Sequence, residues 1–263
     1  MGHALSHATG RPSWGPREQH ATISSTQDRA IELARAGAHE GTRVVARTQS
    51  AGRGRLDHTW ESPPGGLYLS LIARAPEAHR SLVSLAIGAG LREAISGRFG
   101  VRAFLKWPND LLVPTPGGAP RKLSGILIDE VPSPTLGRAE VAGIGVNVAL
   151  DREQLSAPLR EATASLGDFM DPPPPLEEVE EVVVDAALRS VRELDTEAGA
   201  QAALARCRAA LYGIGHRVWV DGVPTGIIQG IGEDGELFVS QGSAQFAIRA
   251  GDLRVEELST TTD

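Results

Sequence analysis

Hydrophobic and polar positions divide the chain into a long mixed region and a short all-β tail. Ser25, Thr26 and Asp28 precede apolar Ala30, Ile31, Leu33 and Ala34, with Gly37 beyond. That spacing predicts a capped helix, Ser25 and Asp28 standing as in a capping box. Thr42–Thr48 and Leu67–Ala73 are rich in β-branched or apolar residues and predict strands. Leu82, Leu85, Ala86, Ala89 and Ile95 fall at helical spacing and predict a helix over 77–99. Three more strands are predicted at Phe104–Trp107, Leu123–Val131 and Glu140–Val148, with Pro114–Pro120 as a loop. Pro172–Pro175 breaks the chain before one long helical pattern from Leu176 to about Leu211.

After Gly213 the period changes to two. Arg217–Val220, Thr225–Ile231, Leu237–Val239 and Ala244–Ile248 alternate, with turns at Asp221-Gly222, Asp234-Gly235 and Gln241-Gly242. Four short strands at that spacing predict a small β-barrel. Residues 1–22 carry Gly, Ser, His and Pro without periodicity and read as a flexible leader. The expected organisation is therefore α+β: a leader at 1–22, a catalytic domain at 23–211, a small β domain at 212–258 and a tail at 259–263.

Composition narrows the class. Hydrophobic residues are 41% of the 263 and charged residues 22%, so a folded core is expected. The formal net charge of -7 argues against a dedicated nucleic-acid binder. A single cysteine, Cys207, excludes an intramolecular disulfide and fits the cytoplasm. No apolar run reaches the length of a membrane span, and the first residues lack a signal peptide's apolar stretch. The seven histidines, His3, His7, His20, His39, His58, His79 and His216, show no zinc-site spacing, so no metal ligands are assigned.

Four segments carry candidate chemistry. Gln49-Ser50-Ala51-Gly52-Arg53-Gly54-Arg55, with Trp60 beyond, combines flexible glycines with two guanidiniums. Backbone N–H groups and arginines in such a loop suit phosphate or carboxylate. Taken alone, the string equally suits a surface loop touching RNA. In Lys106-Trp107-Pro108-Asn109-Asp110 a cation stands at a strand end before a turn; the plainer reading is a turn capping the next element. Arg121-Lys122-Leu123-Ser124-Gly125 sets a cation at a strand start and a glycine where something approaches the backbone; the plainer reading is a charged edge that discourages aggregation. Gly143-Ile144-Gly145-Val146-Asn147 alternates glycine with apolar residues, a weak strand unless a ligand lies close; otherwise it is a core strand capped by asparagine.

In this order, the Ser25-Thr26 start, the QSAGRGR loop with Trp60, the KWPND turn, the RKLSGIL strand and the GIGVN strand resemble biotin protein ligases. The dense part of the resemblance covers about residues 23–150, and the β tail is similar to the family's SH3-like domain. The resemblance implies the family's catalytic fold, a mixed sheet with helices like that of class II aminoacyl-tRNA synthetases. It implies activation of biotin with ATP to biotinyl-5′-AMP, with Mg²⁺, then transfer to a lysine of a biotin carboxyl carrier protein. No enzyme nucleophile is required.

Residue by residue, the resemblance gives the biotin site to Ser25, Thr26, Gln27, Gln49, Arg53, Gly54, Arg55, Lys122, Gly125, Gly143 and Gly145. Gln27 stands where the family usually has asparagine. It gives the adenylate to Arg53, Arg55, Trp60, Lys106, Asn109, Lys122 and Asn147, and makes Lys122 and Arg53 the catalytic cations. Leu56-Asp57 depart from the family's usual basic residue and glycine. Residues 49–60 are expected to order over bound biotin or adenylate.

The lipoate and octanoate ligases share this fold, but the GRGR loop and KWPND turn fit the biotin branch better. A biotin-responsive repressor needs a DNA-binding domain, and 1–22 is shorter than the roughly 50 residues a domain takes and lacks a helix-turn-helix pattern. The expectation is a monofunctional ligase without operator binding, monomeric or dimerising with ligand. A biotin-binding module without catalysis is disfavoured because every signature cation is present.

Overall fold

A computed structural model describes residues 14–56, 58–116 and 118–256. A seven-stranded sheet runs in the order β1-β2-β3-β7-β6-β5-β4. Its strands are β1 (Arg17–Ile23), β2 (Arg43–Gln49), β3 (Gly66–Ala73), β4 (Phe104–Lys106), β5 (Asp110–Thr115), β6 (Gly118–Ser133) and β7 (Gly137–Asn147). β1 pairs parallel with β2; the other neighbours are antiparallel.

The alternation of side chains assigns the two faces. Leu67, Leu69 and Leu71 of β3, with Ala142, Ile144 and Val146 of β7, point to one side. There they meet α2 (Val83–Phe99), α4 (Leu176–Glu193) and α5 (Glu197–Ala210) in the main core. Each fully buried Leu or Ile contributes about 1.5–3 kcal/mol, so this face anchors the fold. On the other face, α1 (Thr26–Arg35) packs Ala30 and Ala34 on Val44, Ile72 and Val141. α1 has only ten residues and covers only part of the sheet. The uncovered part of β6 and β7 is where the glycines fall.

The β tail is a five-stranded antiparallel sheet in the order β11-β10-β9-β8-β12. Its strands are β8 (Arg217–Val220), β9 (Val223–Ile231), β10 (Leu237–Gln241), β11 (Ala244–Ile248) and β12 (Leu253–Val255). It is fastened to the larger unit at the turn before β10. Trp107 Nε1 donates to the Gly235 carbonyl at 2.8 Å, and Gly235 (φ +83°) lies against Leu82 and Leu85.

The structure departs from the expected elements at several points. Residues 17–22, expected as leader, form most of β1. Trp14 stacks on Arg43, 5.2 Å from ring centroid to guanidinium, so the folded unit starts well before residue 23. Residues 1–13, the rest of that leader, and the tail at 259–263 lie outside the described residues. The expected loop Pro114–Pro120 is instead the hairpin joining β5 to β6. The single helix expected over 176–211 is two, broken where Thr196 accepts from the Gly199 amide and caps α5. The helix over 77–99 opens with a 3-10 stretch, Glu77–Leu82.

Candidate functional site

The sheet register lines up the glycines. Gly125 of β6 pairs with Gly145 of β7, and Leu127 with Gly143; Gly143 and Gly145 in turn pair with Ser70 and Tyr68 of β3. A floor without side chains results, and it bounds a cavity of about 230 Å³. Trp60 lies flat on that floor. A Cβ on Gly145 would come within 2.4 Å of its ring, and one on Gly125 within 2.6 Å. The glycines are therefore required by close approach rather than by backbone conformation. The indole Nε1 is buried without a hydrogen-bond partner. A buried donor left open in a cavity calls for a ligand acceptor.

One end of the cavity is built at the N-terminus of α1. Ser25 caps the helix, its Oγ accepting from the Asp28 amide at 3.3 Å, and is buried away from the cavity lining. Gln49 Oε1 accepts from the Thr26 amide at 2.8 Å and from its hydroxyl at 3.1 Å, and Gln49 Nε2 donates to Ser62. Ser70 Oγ lies 2.9 Å from both Thr26 Oγ1 and Gln27 Oε1. Gln27 donates to the Val141 carbonyl at 2.8 Å and to Asp129 at 3.0 Å. Its amide is thus engaged with protein on both sides, over Gly143, where a Cβ would meet Gln27 Oε1 at 2.6 Å. Tyr68 lines the same wall, and burial pushes its phenol up, so it stays protonated and donates to the Pro63 carbonyl at 2.6 Å.

The glycine-rich loop folds over the cavity as an irregular hairpin, with bridges between Gln49 and Ser62 and between Arg53 and Thr59. Its two arginines differ. Arg53 Nη1 lies 2.9 Å from Asp28 Oδ1 and 3.2 Å from Asp129 Oδ2. Arg55 has no ion pair among the described residues and donates to the neutral Asn109 Oδ1 at 3.2 Å. Asn109 is held by its own Nδ2, which donates to the Ile126 carbonyl.

Beyond Trp60 stands a third cation, Lys122. Lys122 Nζ is 2.7 Å from Asp110 Oδ1 and 5.0 Å from the Trp60 ring centroid. Asn147 Nδ2 and the Ala164 amide both donate to the Lys122 carbonyl, fixing the strand that carries it. The far wall is apolar: Leu150, Leu155 and Leu159, with Thr163 bridged to Lys122. Asp252 of the β tail reaches the same cavity.

The cavity thus gathers Thr26, Gln27, Gln49, Arg53, Gly54, Arg55, Trp60, Asn109, Lys122, Gly125, Gly143, Gly145 and Asn147. Ser25 and Lys106 are not in its lining. The sequence reading missed Asp110, the leucine wall and Asp252. Asp110 stood inside the KWPND motif; the leucines and Asp252 belong to no motif. Among the described residues no group of three or more His, Cys, Asp or Glu could hold a metal. Asp110 offers a carboxylate beside Lys122, which suits Mg²⁺ carried in on a polyphosphate, since that ion takes few protein ligands and keeps the rest from phosphate and water.

The arrangement provides a flat apolar slot, a polar end at α1 and a cationic end at Lys122 and Arg55. It can hold a fused-ring acid with its carboxylate beside a nucleotide phosphate.

Residues 20–148 match the model of the biotin/lipoate A/B protein ligase family. Over 147 residues the chain is 37% identical to the bifunctional ligase/repressor BirA of Bacillus spizizenii, covering 55% of this chain but only 44% of that protein, so it spans less than half of that relative's length. It is 31% identical over 259 residues to the biotin–[acetyl-CoA-carboxylase] ligase of Mycobacterium tuberculosis, covering 91% of this chain and 89% of the relative. The biotin protein ligase of Aquifex aeolicus, solved with biotin and ATP, shares the fold at a TM-score of 0.77 and 23% identity, over 92% of this chain and 99% of that one. With nearly its whole length aligned to the mycobacterial protein, the chain belongs to the biotin protein ligases of the biotin/lipoate A/B protein ligase family.

Proposed function

We propose that the protein activates biotin with ATP and transfers it to a lysine of a biotin carboxyl carrier protein domain. The observation that carries this reading is the glycine floor under Trp60, running into Lys122, Asp110 and Arg55 within one cavity.

The bicyclic ring of biotin lies beside the Trp60 indole, at the Thr26–Gln49–Ser70 end of the glycine floor. Its polar ring atoms face the Thr26–Gln49–Ser70 network. Its valerate runs along Trp60, whose free Nε1–H donates to ligand, and brings the carboxylate to Lys122. ATP enters from the leucine side, adenine against Leu150, Leu155 and Leu159. A carboxylate oxygen attacks the α-phosphorus and the bond to pyrophosphate breaks. Arg55 and Lys122 stabilise the negative charge that gathers in the transition state, in a site the loop shields from water. Asp110 would hold Mg²⁺, which would supply positive charge to offset that of the leaving pyrophosphate. In the second step the carrier lysine's amine attacks the acyl carbon of the mixed anhydride. AMP leaves with the acyl C–O pair, and the amine gives up its proton. Arg53 is already compensated by Asp28 and Asp129, so the phosphate role falls to Arg55.

The test is mass spectrometry of a purified carrier domain incubated with the protein, ATP, Mg²⁺ and biotin, with lipoate in parallel. One biotin on the acceptor lysine, lost in Lys122→Ala, is the expected result. Lipoate transfer without biotin transfer would move the protein to the sister branch of the family.

A further inference from the structure

Arg53 is held outside the reacting end of the cavity, by two carboxylates that the resemblance gives no part in the site. Asp28 projects from the first turn of α1 and Asp129 from β6, four residues past Gly125. The Arg53 guanidinium bridges them, at 2.9 and 3.2 Å. The Asp129 oxygen that meets Arg53 also accepts from Gln27, whose other amide atom lies over Gly143. A continuous polar chain therefore runs from the floor of the slot, through Gln27 and Asp129, to the loop that closes it. Two residues further along the loop, Arg55 faces the cavity with, among the described residues, only a neutral partner.

We propose that Asp129, assisted by Asp28, is a positioning residue that fastens the glycine-rich loop shut through Arg53. Arg53 is then a bolt rather than a phosphate ligand, and the strength of the bolt sets how fast the adenylate escapes. The inference rests on the ligase reading above. The three side chains are between 28% and 54% exposed, so the contact is screened and its strength modest, which suits a loop that must open in every cycle.

The experiment uses the full chain loaded with radiolabelled biotin and ATP–Mg²⁺, stripped of excess ligand, then chased with unlabelled biotin. Adenylate release is followed by rapid filtration. Asp129→Asn should release adenylate roughly three- to tenfold faster. Its single-turnover rate of adenylate formation should change less than about twofold, as expected for a contact that binds no reacting group. Added salt should speed release from the wild-type protein and leave the Asp28→Asn/Asp129→Asn double variant unmoved. Unchanged release, or slowed adenylate formation with unchanged release, overturns the proposal. If the wild-type chain forms no adenylate, the ligase reading is what fails. The bolt is then read from trypsin cleavage after Arg53 and Arg55 in the ligand-free chain, faster by a similar factor in Asp129→Asn; equal cleavage rates overturn it.

Discussion

Nζ of Lys122 lies 2.7 Å from Oδ1 of Asp110, although the two residues come from different motifs and neighbouring strands. β5 begins at Asp110 and pairs with β6, so the turn after Lys106 exists in part to deliver this carboxylate. A lysine tethered in this way keeps its ammonium over the Trp60 ring. Lys122→Ala should lower the rate of adenylate formation by about 10²–10³-fold, the usual loss on removing one group that stabilises developing charge. Biotin affinity should fall much less. Pyrophosphate release in single turnover, with calorimetry for biotin, separates the two. Comparable losses in both would make Lys122 a binding group only.

The glycine floor makes a sharper demand. A methyl group at Gly145 would lie 2.4 Å from Cζ2 of Trp60, so Gly145→Ala must drive the indole off the sheet. Trp60 is only partly buried and can leave without unfolding the domain. The expected outcome is biotin binding weakened by at least tenfold, with a melting temperature within a few degrees of wild type. Retained affinity would show that the ring does not need the floor. Gly100, where a Cβ meets nothing within 4 Å, lies far along the chain at the end of α2 and serves as a comparison, though its left-handed φ of +68° adds strain.

Much of this site was legible because its chemistry is compressed into short motifs whose glycines and cations have no good structural excuse. The β tail was legible for a different reason: period-two alternation and Gly-containing turns leave few alternatives, and Arg217–Val220 and Ala244–Ile248 come out with the expected ends. β1 was not legible. Arg-Glu-Gln-His-Ala-Thr-Ile is an edge strand with exposed or half-buried side chains, so it carries no buried run, and its stability comes from pairing with β2 and from distant ion pairs. β5 was hidden because Leu111 and Val113, both fully buried, sit between a turn motif and a proline that read as loop. The leucine wall was invisible because Leu150, Leu155 and Leu159 line the cavity rather than join the main core cluster, and no local period marks them.

Trp107 lies inside the KWPND turn, and its indole holds the two units together. It is 2% exposed and donates to Gly235 at 2.8 Å. Trp107→Phe keeps most of the packing and removes that bond, which should cost about 1 kcal/mol plus the unmet Gly235 carbonyl. Because Asp252 of the same β tail lines the cavity, loosening the joint should also reach the site. The variant should show earlier hydrogen exchange in β9 and β10 than in β3 and β7. A uniform rise across both sheets would indicate global destabilisation instead.

Glu180 of α4 anchors the edge strand β1 through Arg17. Burial alone would raise its pKa, but Arg17 and Arg43 donate to it and hold it below its ordinary value. Arg43 is itself buried and also donates to the Gly15 carbonyl, so removing the carboxylate leaves an uncompensated guanidinium between α4 and β2. Breaking one partner of a buried pair costs about 3 kcal/mol. In a domain of this size that lowers the melting temperature by roughly 6–12 °C. Glu180→Gln should show that deficit at neutral pH. The sign of its pH dependence follows from the lowered pKa. The wild-type advantage is complete above the unfolded carboxylate's value of 4.5 and is lost as pH falls through the lower folded value. Melting curves of the two proteins should therefore lie apart at pH 7 and converge below pH 4.5; a gap that persists in acid would mean that ionisation of Glu180 is not what holds β1 to α4.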